Sequence, residues 1–308
     1  MLREVVMNAT TAVAWCALLS SALSVHRPAR AQQEVQLLLR CDDVGMCHGV
    51  NQAAERAIAS GLPLSMSVMF ACPWYTEAVD LLRRHPEVSV GVHLTLNAEW
   101  QNYRWGPVSG RSAVPSLTDS CGMFWPSRAL LFAHGPRLEE AEVELRAQIQ
   151  RARATGLRID YLDYHMGAAV QTAELRSLVE RLAREYGLGI SRYFGEEDVV
   201  GAYATPPEEK LDTIRAALPR LAAGGVHLMV FHIGLDTPEM QALVDMNPGG
   251  LTVMSRHRQA ELEALCSDEF RLLCREYGIR FITYRELIEQ RGLEGMRAPA
   301  SQIGRAHV

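Results

Sequence analysis

The sequence contains almost no lysine. Thirty of its 31 basic residues are Arg, and Lys210 is the single Lys. No run of basic residues is interleaved with aromatics, and the formal net charge is -5. Because nucleic-acid binding needs a concentrated positive surface, this composition argues against a nucleic-acid partner. We attribute the excess of Arg to a GC-rich coding sequence rather than to phosphate binding.

The chain also lacks a Cys-x-x-Cys motif, although it has 7 cysteines. A domain of this size does not depend on disulfides for its stability. Cys266 and Cys274 fall on one predicted helix, about 12 Å apart along its axis, which is too far for a disulfide. We therefore predict mostly free, buried thiols.

The apolar run 12–23 near the start of the chain is shorter than the roughly 20 residues that a membrane-spanning helix requires. It follows a weakly basic opening at Arg3 and precedes Ala29-Arg30-Ala31, a small-x-small cleavage pattern. This arrangement predicts a secretory signal peptide over residues 1–31 and export to the periplasm or the outside of the cell. An uncleaved membrane anchor is the alternative; after cleavage, no stable membrane span is expected.

The chain is long enough for one large α/β core, since 48% of its 308 residues are hydrophobic and 22% are charged. We predict a single domain over residues 32–300. Residues 302–308 resemble an adapter sequence read through in frame, so we expect a non-native tail over residues 301–308 and exclude His307 from any site. The sequence leaves the oligomeric state open, and a homo-oligomer is compatible with it.

Short apolar and β-branched runs alternate with longer helical patterns from Gln36 onward, which is typical of βα units around a parallel sheet. Seven strands are predicted, at Gln36–Cys41, Ser65–Ala71, Ser89–Leu96, Ile159–His165, Gly189–Tyr193, Val226–Ile233 and Arg280–Tyr284. The predicted helices are Asn51–Ser60, Tyr75–Arg84, Leu138–Thr155, Thr172–Tyr186, Pro207–Ala222 and Arg256–Tyr277. Seven parallel strands with outer helices predict an α/β fold, an incomplete or distorted (β/α) barrel similar to a TIM barrel.

A doubly wound open sheet is the alternative fold. The first predicted strand runs into Asp42-Asp43 rather than into a glycine-rich turn, so the dinucleotide-binding fingerprint of that fold is missing. The segment Asn97–Arg137 has no clear periodicity but carries several aromatic residues. Loops of this length are usually functional or disordered, and the aromatic content favours function.

Ionisable residues stand at or near the ends of four predicted strands. They are Asp42, Asp43, His93, Asp163, His165 and His232. Each alone has an ordinary structural explanation as a turn, a helix cap or a satisfied core histidine. The carboxyl ends of parallel barrel strands converge on one face, so the coincidence of these residues predicts a site there.

Two imidazoles and a carboxylate bind Zn²⁺ or a similar metal and leave positions open for water and substrate, which predicts metal-dependent hydrolysis. Asp42, beside a ligand Asp43, is placed to act as the base, and His232 is placed to act as the acid. Asp163 shares a strand face with His165, because side chains alternate with period two, and is a candidate to orient a histidine. Zn²⁺ is favoured, and Mg²⁺ can bind the same ligands if water completes its shell.

Five segments resemble the motifs of the YdjC/ChbG-like carbohydrate deacetylases. They are RCDDVGMCHGVN (40–51), SMSVMFACPW (65–74), VGVHLTLNAEW (90–100), YLDYHMG (161–167) and FHIG (231–234). The resemblance implies a barrel-like deacetylase fold and hydrolysis of an N-acetyl group from an acetylated sugar. It also implies that Asp43, His93 and His165 are the metal ligands. By the same motifs, Asp42 is the base and His232 is the late histidine of the catalytic scheme.

Two of these segments depart from the common form of the family. Tyr164 stands where many members have Ser, and Gly167 stands where a second His would fall. Ile233 replaces the Pro of the late motif. The acetylated substrate is therefore left undefined by the resemblance.

Candidate substrate-binding residues follow His93 and the fifth strand. Trp100, Tyr103 and Trp105 could stack on a sugar ring and hydrogen-bond through their polar tips, or pack the long loop onto the barrel. Arg192 could hold a carboxylate or carbonyl of the substrate, or form a surface salt bridge.

Three functions compete at this point. Amide hydrolysis that releases acetate from an amino sugar is the leading hypothesis. Hydrolysis of another amide, an ester or a phosphoester is the second, but the sequence has no clustered Arg and Lys phosphate clamp. A non-catalytic glycan-binding protein is the third, and the presence of both Asp42 and His232 argues against it.

Overall fold

The computed structural model describes residues 34–199 and 201–299, so the predicted signal peptide and the predicted tail lie outside the described residues. These residues contain eight strands: β1 (Val35–Val44), β2 (Ser65–Val68), β3 (Ser89–Leu94), β4 (Tyr161–Tyr164), β5 (Gly189–Ile190), β6 (Glu196–Asp198), β7 (Val226–Phe231) and β8 (Ile279–Ile282). The pairs between them are parallel. The seven predicted strands are present, several of them shorter than expected. Glu196–Asp198 was not predicted because it contains no apolar residue.

The strand order is β5-β4-β3-β2-β1-β7-β6, and β8 pairs with β1. β7 pairs with one edge of β1 over Gln36–Cys41. The other edge of β1 pairs first with β8 and then, nearer its carboxyl end, with β2. If the two edge strands of this sheet, β5 and β6, are placed side by side, the strands β1 to β7 follow one another in chain order around a circle. Among the described residues β5 and β6 do not pair, so the circle is open there. A doubly wound sheet reverses its strand order at a switch point, so that alternative is wrong and the incomplete barrel is confirmed.

The helices pack around this curled sheet. They are α1 (His48–Ala59), α2 (Tyr75–Arg84), α3 (Arg128–Ala133), α4 (Leu138–Ala154), α5 (Ala173–Tyr186), α6 (Lys210–Ala217), α7 (Pro238–Gln241), α8 (Met254–Cys266), α9 (Asp268–Glu276) and α10 (Tyr284–Arg291). The predicted helix Arg256–Tyr277 is wrong as a single element, because Ser267 ends α8 and its side chain accepts the N-cap hydrogen bond of α9 from Phe270 N. Within the described part of the chain, none of the helices combines the length and the apolar character needed to cross a membrane.

Alternate residues of β1 pack into two different hydrophobic clusters. Leu37 and Leu39 join a large cluster between the sheet and the helices. Leu38 joins a smaller cluster inside the curl of the sheet, together with Tyr161 and Tyr284. Because strand side chains alternate, the Arg40 side chain follows Leu38 on this inner face, nearer the carboxyl ends of the strands.

The cysteines that the structure describes are all free. Cys41, Cys47, Cys72 and Cys274 are buried, Cys266 is intermediate and Cys121 is exposed. The prediction of mostly buried, free thiols is confirmed, although the argument that places Cys266 and Cys274 on one helix is wrong.

Candidate metal and catalytic site

The carboxyl ends of the strands open into a cavity of about 910 Å³, within the size range of small-molecule sites. Seven of the predicted site residues line it: Asp42, Asp43, His93, Trp100, His165, Arg192 and His232. Three do not: Asp163, Tyr103 and Trp105. The cavity is also lined by Arg40, Glu99, Tyr203 and Arg258, to which sequence reasoning assigned no role.

Asp42 and Asp43 are consecutive, and in a regular strand they would point to opposite faces of the sheet. The pairing of β1 with β2 shifts register between Cys41 and Val44, where three steps along β1 match two along β2. Asp43 takes a left-handed backbone conformation at this bulge, with φ 63°. A bulge re-aims a side chain, which explains why both aspartates face the cavity.

His93 and Asp163 are direct neighbours across β3 and β4. Asp163 Oδ2 lies 2.8 Å from His93 Nδ1, so this carboxylate holds the imidazole by the nitrogen away from Asp43. His93 Nε2 faces Asp43 Oδ1 at 3.4 Å. The sequence placed Asp163 on the strand face of His165, whereas the register pairs it with His93.

His165 begins a 3-10 turn directly after β4, in which Met166 and Gly167 both take left-handed conformations. Its Nδ1 lies 3.1 Å from Asp43 Oδ1, and its Nε2 lies 2.9 Å from Glu99 Oε2. Each of the two imidazoles therefore faces Asp43 with one nitrogen and a second carboxylate with the other.

Asp43, His93 and His165 present one possible ligand atom each, and these atoms lie within 4.8 Å of one another. All three residues are buried. A carboxylate and two imidazoles held by outer carboxylates fit a divalent metal such as Zn²⁺.

Asp42, His93 and Asp163 form a second group within the same limit. Arg40 fills this group, because its Nε and Nη2 donate to Asp42 at 2.6 and 2.8 Å and its Nη1 lies 3.0 Å from Asp163 Oδ1. A cation there would face the buried guanidinium directly. The donor atoms around Asp43 are therefore the better metal site.

Buried charges shift the pKa values of the cluster. Burial would raise the pKa of Asp43, but Arg258 and His165 hold it well below its usual range. Burial would lower the pKa of His93, but Asp163 and Asp42 raise it to about 9. Burial would also lower the pKa of His165, but the carboxylates of Glu99 and Asp43 raise it to about 10.

The formal charges of the cluster also show that it needs additional positive charge. The cluster contains four buried carboxylates, those of Asp42, Asp43, Glu99 and Asp163, and the two buried guanidinium groups of Arg40 and Arg258. With neutral imidazoles, four negative and two positive charges leave a net of −2. Either two protonated histidines or one divalent cation neutralises this charge.

His232 follows β7 at the cavity wall. Its Nε2 lies 4.0 Å from Asp42 Oδ2, and its backbone N donates to Glu261 Oε2 at 2.7 Å. The Tyr203 ring meets the imidazole edge-on, with ring centroids 4.8 Å apart. The predicted base and acid are thus near neighbours in one cavity.

The three candidate aromatic residues have different positions, and Trp100 is the one that lines the cavity. The Arg258 guanidinium lies 5.7 Å from the centre of its ring. The indole is therefore held in place by a buried cation, and at 1% exposure it contributes only a small part of the cavity wall.

Trp105 and Tyr103 support the loop instead. Trp105 is buried, donates from Nε1 to Asn97 O at 3.0 Å and packs edge-on against His165. Tyr103 donates its hydroxyl to Met46 O, in the connection between β1 and α1. These positions favour packing over substrate binding for both residues.

Arg192 lies in the cavity wall with a left-handed backbone, φ 69°. Its Nε donates to both carboxylate oxygens of Asp198 at 2.9 Å. This ion pair holds the guanidinium where a substrate oxygen could reach it.

Comparison with known proteins places the chain in a family. A model of the family described as YdjC-like protein matches residues 36–276. A protein of Thermus thermophilus named carbohydrate deacetylase is 32% identical over 78% of this chain and 90% of its own length. One of Enterococcus faecalis with the same name is 28% identical over 82% and 98%. A third, of Brevibacillus brevis, is 35% identical, but the match spans 53% of this chain and 62% of that protein.

A solved structure agrees with these sequence matches. An Enterococcus faecalis protein, named for a proposed role in cellobiose-phosphate cleavage, superposes with a TM-score of 0.68 and 26% identity. The match covers 82% of this chain and 99% of that one. The family model covers the sheet from β1 to β7 and all of the predicted site residues, and the chain belongs to the YdjC-like protein family.

Proposed function

We propose that this protein is a divalent-metal-dependent deacetylase that hydrolyses the N-acetyl group of an acetylated amino sugar or oligosaccharide. The observation that carries the proposal is the cluster around Asp43. It joins two buried imidazoles to a carboxylate, and it opens into a cavity large enough for a sugar. The relatives named carbohydrate deacetylase support the choice of substrate class.

Asp43, His93 and His165 would hold the metal. A bound Zn²⁺ or Mg²⁺ supplies Lewis acidity, which lowers the pKa of a water and polarises the acetyl carbonyl. Asp163 and Glu99 orient the two imidazoles through their outer nitrogens.

Asp42 acts as the general base. Arg40 grips both of its oxygens, which fixes the carboxylate at the cavity, where it takes a proton from the attacking water. His232 acts as the general acid and donates a proton to the amide nitrogen as the C–N bond breaks. The products are acetate and the free amino sugar.

Trp100 and Arg192 are the proposed substrate contacts. The part of the indole that lines the cavity offers the sugar an apolar contact, and the Arg192 guanidinium offers donors to its oxygens. We assign Tyr103 and Trp105 to the support of His165 and the loop instead, because neither ring lines the cavity.

The test is acetate release from a panel of N-acetylated mono- and oligosaccharides, with chelator and with added Zn²⁺ or Mg²⁺. We expect metal-dependent release that Asp42→Asn lowers by at least about 100-fold, the usual scale of general-base catalysis. Asp80→Asn, at an exposed side chain on α2, is the matched control and should leave release unchanged. Phosphate release from phosphorylated sugars without acetate release would overturn the proposal.

We also propose that the protein is exported, on the strength of the signal-like residues 1–31. Mass spectrometry of protein recovered after expression of the full chain should find Gln32 as the first residue. Recovery of the intact leader in the cytoplasm would contradict export.

A further inference from the structure

Lys210 is the one Lys of a chain that otherwise uses Arg, and it is buried at 1% exposure. A lysine is almost never fully buried unless it is paired. The Nζ atom donates to Ala202 O and Tyr203 O at 2.7 Å and to Glu261 Oε1 at 3.3 Å. An ammonium group has three donors, and here each has an acceptor.

An Arg would not reproduce this arrangement. The guanidinium is planar and presents its donors as a fork, whereas the three acceptors surround a single nitrogen. In a sequence that otherwise uses Arg, the single Lys therefore stands where three acceptors surround one nitrogen and a compact tetrahedral donor fits them.

Two series of contacts run from Lys210 to His232. Glu261, itself buried, accepts from Lys210 with one oxygen and from the His232 backbone N at 2.7 Å with the other. The second series runs through the Tyr203 carbonyl to the Tyr203 ring, whose centroid lies 4.8 Å from that of the imidazole. His232 is thus held at its peptide and at its ring.

We propose that Lys210 is a positioning residue for His232, acting through Glu261 on the peptide and through Tyr203 on the imidazole. The inference rests on the proposed function, in which His232 is the acid that protonates the leaving amine. A proton donor must stay within hydrogen-bond reach of the atom it protonates, so a small displacement of the imidazole slows the chemical step. Lys210 does not line the cavity.

The expected kinetic consequence is a loss of kcat rather than of substrate or metal binding. Lys210→Met leaves the Glu261 carboxylate without its buried cation and removes the donor to both carbonyls. Lys210→Arg keeps the charge but not the geometry. We expect both variants to lower kcat tenfold or more on any N-acetylated sugar that the wild type hydrolyses, while KM and the Kd for Zn²⁺ stay within twofold.

Arg285→Met is the matched control. Arg285 pairs with buried Asp160, which precedes β4 at the amino-terminal end of the sheet, and neither residue lines the cavity. This variant also loses a cation that pairs with a buried carboxylate, while Arg158 stays paired with Asp160 at 2.9 Å. We therefore expect a lower Tm with wild-type kcat. If Lys210→Met does not fold, Lys210→Arg, which keeps the buried charge, carries the comparison.

A second measurement does not depend on activity. The His232 ring signal is followed in ¹H–¹³C spectra of protein with labelled histidine and is assigned with His232→Asn. Both Lys210 variants should shift or broaden it, and Arg285→Met should not. An unchanged His232 signal in the Lys210 variants, or an unchanged kcat, would overturn the proposal. A wild type that releases no acetate would exclude the deacetylase function, and the ring signal then decides the role of Lys210.

Discussion

Arg258 and Asp43 form an ion pair of 2.7 Å whose side chains are 2% and 1% exposed. Arg258 lies on α8, and it binds one oxygen of Asp43 while the other oxygen faces the two imidazoles. Glu261, about one helical turn after Arg258, binds the His232 peptide. The helix α8 therefore fixes both the proposed metal ligand and the proposed acid.

Removal of this guanidinium should destabilise the protein most when no metal is bound. Arg258→Met removes the guanidinium from buried Asp43, and breaking a buried pair costs about 3 kcal/mol of the free energy of unfolding. In metal-free protein the protonated imidazoles of His93 and His165, at 3.4 and 3.1 Å, are the cations that remain beside this carboxylate. Zn²⁺ would bind the carboxylate directly, so the loss should be smaller with metal than with chelator. Urea unfolding under both conditions measures the difference.

The control for Arg258 is Arg181→Met, which removes a half-exposed partner of Glu142. Exposed ion pairs contribute little to stability because water and salt screen them, and this small loss should be the same with and without metal. An equal loss in Arg258→Met under the two conditions would argue against a metal at Asp43.

Metal binding should release protons. The pKa values of His93 and His165 are raised to about 9 and about 10 by their carboxylate neighbours, so both imidazoles carry a proton at about pH 7 in metal-free protein. A ligand must lose its proton to bind a metal, so we expect release of about two protons per ion at that pH. Calorimetry in buffers of different ionisation enthalpy measures this number. A binding heat independent of the buffer would contradict the prediction.

The raised pKa values of His93 and His165 also determine how the free energy of unfolding of the metal-free protein depends on pH. A folded-state pKa above the unfolded value of about 6.5 means that protonation stabilises the fold. This contribution is fully present below about pH 6.5 and is lost as the pH rises through about 9 and about 10. The free energy of unfolding in chelator should therefore fall between about pH 6 and about pH 10, and less so when Zn²⁺ is present. Urea unfolding across this range measures it, and a flat profile in chelator would be the contrary result.

Glu99 should matter for metal affinity although it is not a proposed ligand. Glu99→Gln keeps the size of the side chain but weakens the hold on His165 Nε2, and loss of such an outer carboxylate costs about 10- to 100-fold in metal affinity. Titration of Zn²⁺ against a competing chelator measures the Kd. Glu197→Gln, at a mostly exposed side chain of the cavity wall, is the control and should keep the wild-type Kd. A wild-type Kd in Glu99→Gln would exclude the orienting role.

The sequence predicts the part of this site that lies on strands. Asp42, His93, Asp163 and His232 stand out because each is polar in or just after an apolar run, and barrel topology brings the ends of such runs together. Arg40 could also have been found, since it is two residues before Asp42 and therefore on the same strand face. The bulge that turns the next aspartate inward has no comparable signal, because it depends on the register with β2.

Glu99 and Arg258 could not be placed from sequence. Glu99 lies in the aperiodic segment after β3, and Arg258 is one of two arginines on α8, so only tertiary packing brings Glu99 and Arg258 to the cluster around Asp43. The break between α8 and α9 did have a signal. Ser267 followed by two acidic residues is a helix start, a cap with negative charge in the first turn, inside an otherwise continuous helical pattern.

Val253 offers a way to strengthen the start of α8. It is a β-branched residue with a left-handed backbone, φ 51°, and 57% exposure at the N-terminal boundary of the helix. This conformation costs an ordinary L-residue about 1–2 kcal/mol, whereas Asn tolerates it. Val253→Asn should therefore raise the free energy of unfolding by about 1 kcal/mol. Val244→Asn, at a valine of similar exposure outside the left-handed region, is the control and should change it by less than about 0.5 kcal/mol. Equal unfolding midpoints in urea for the two variants would show that Val253 carries no strain.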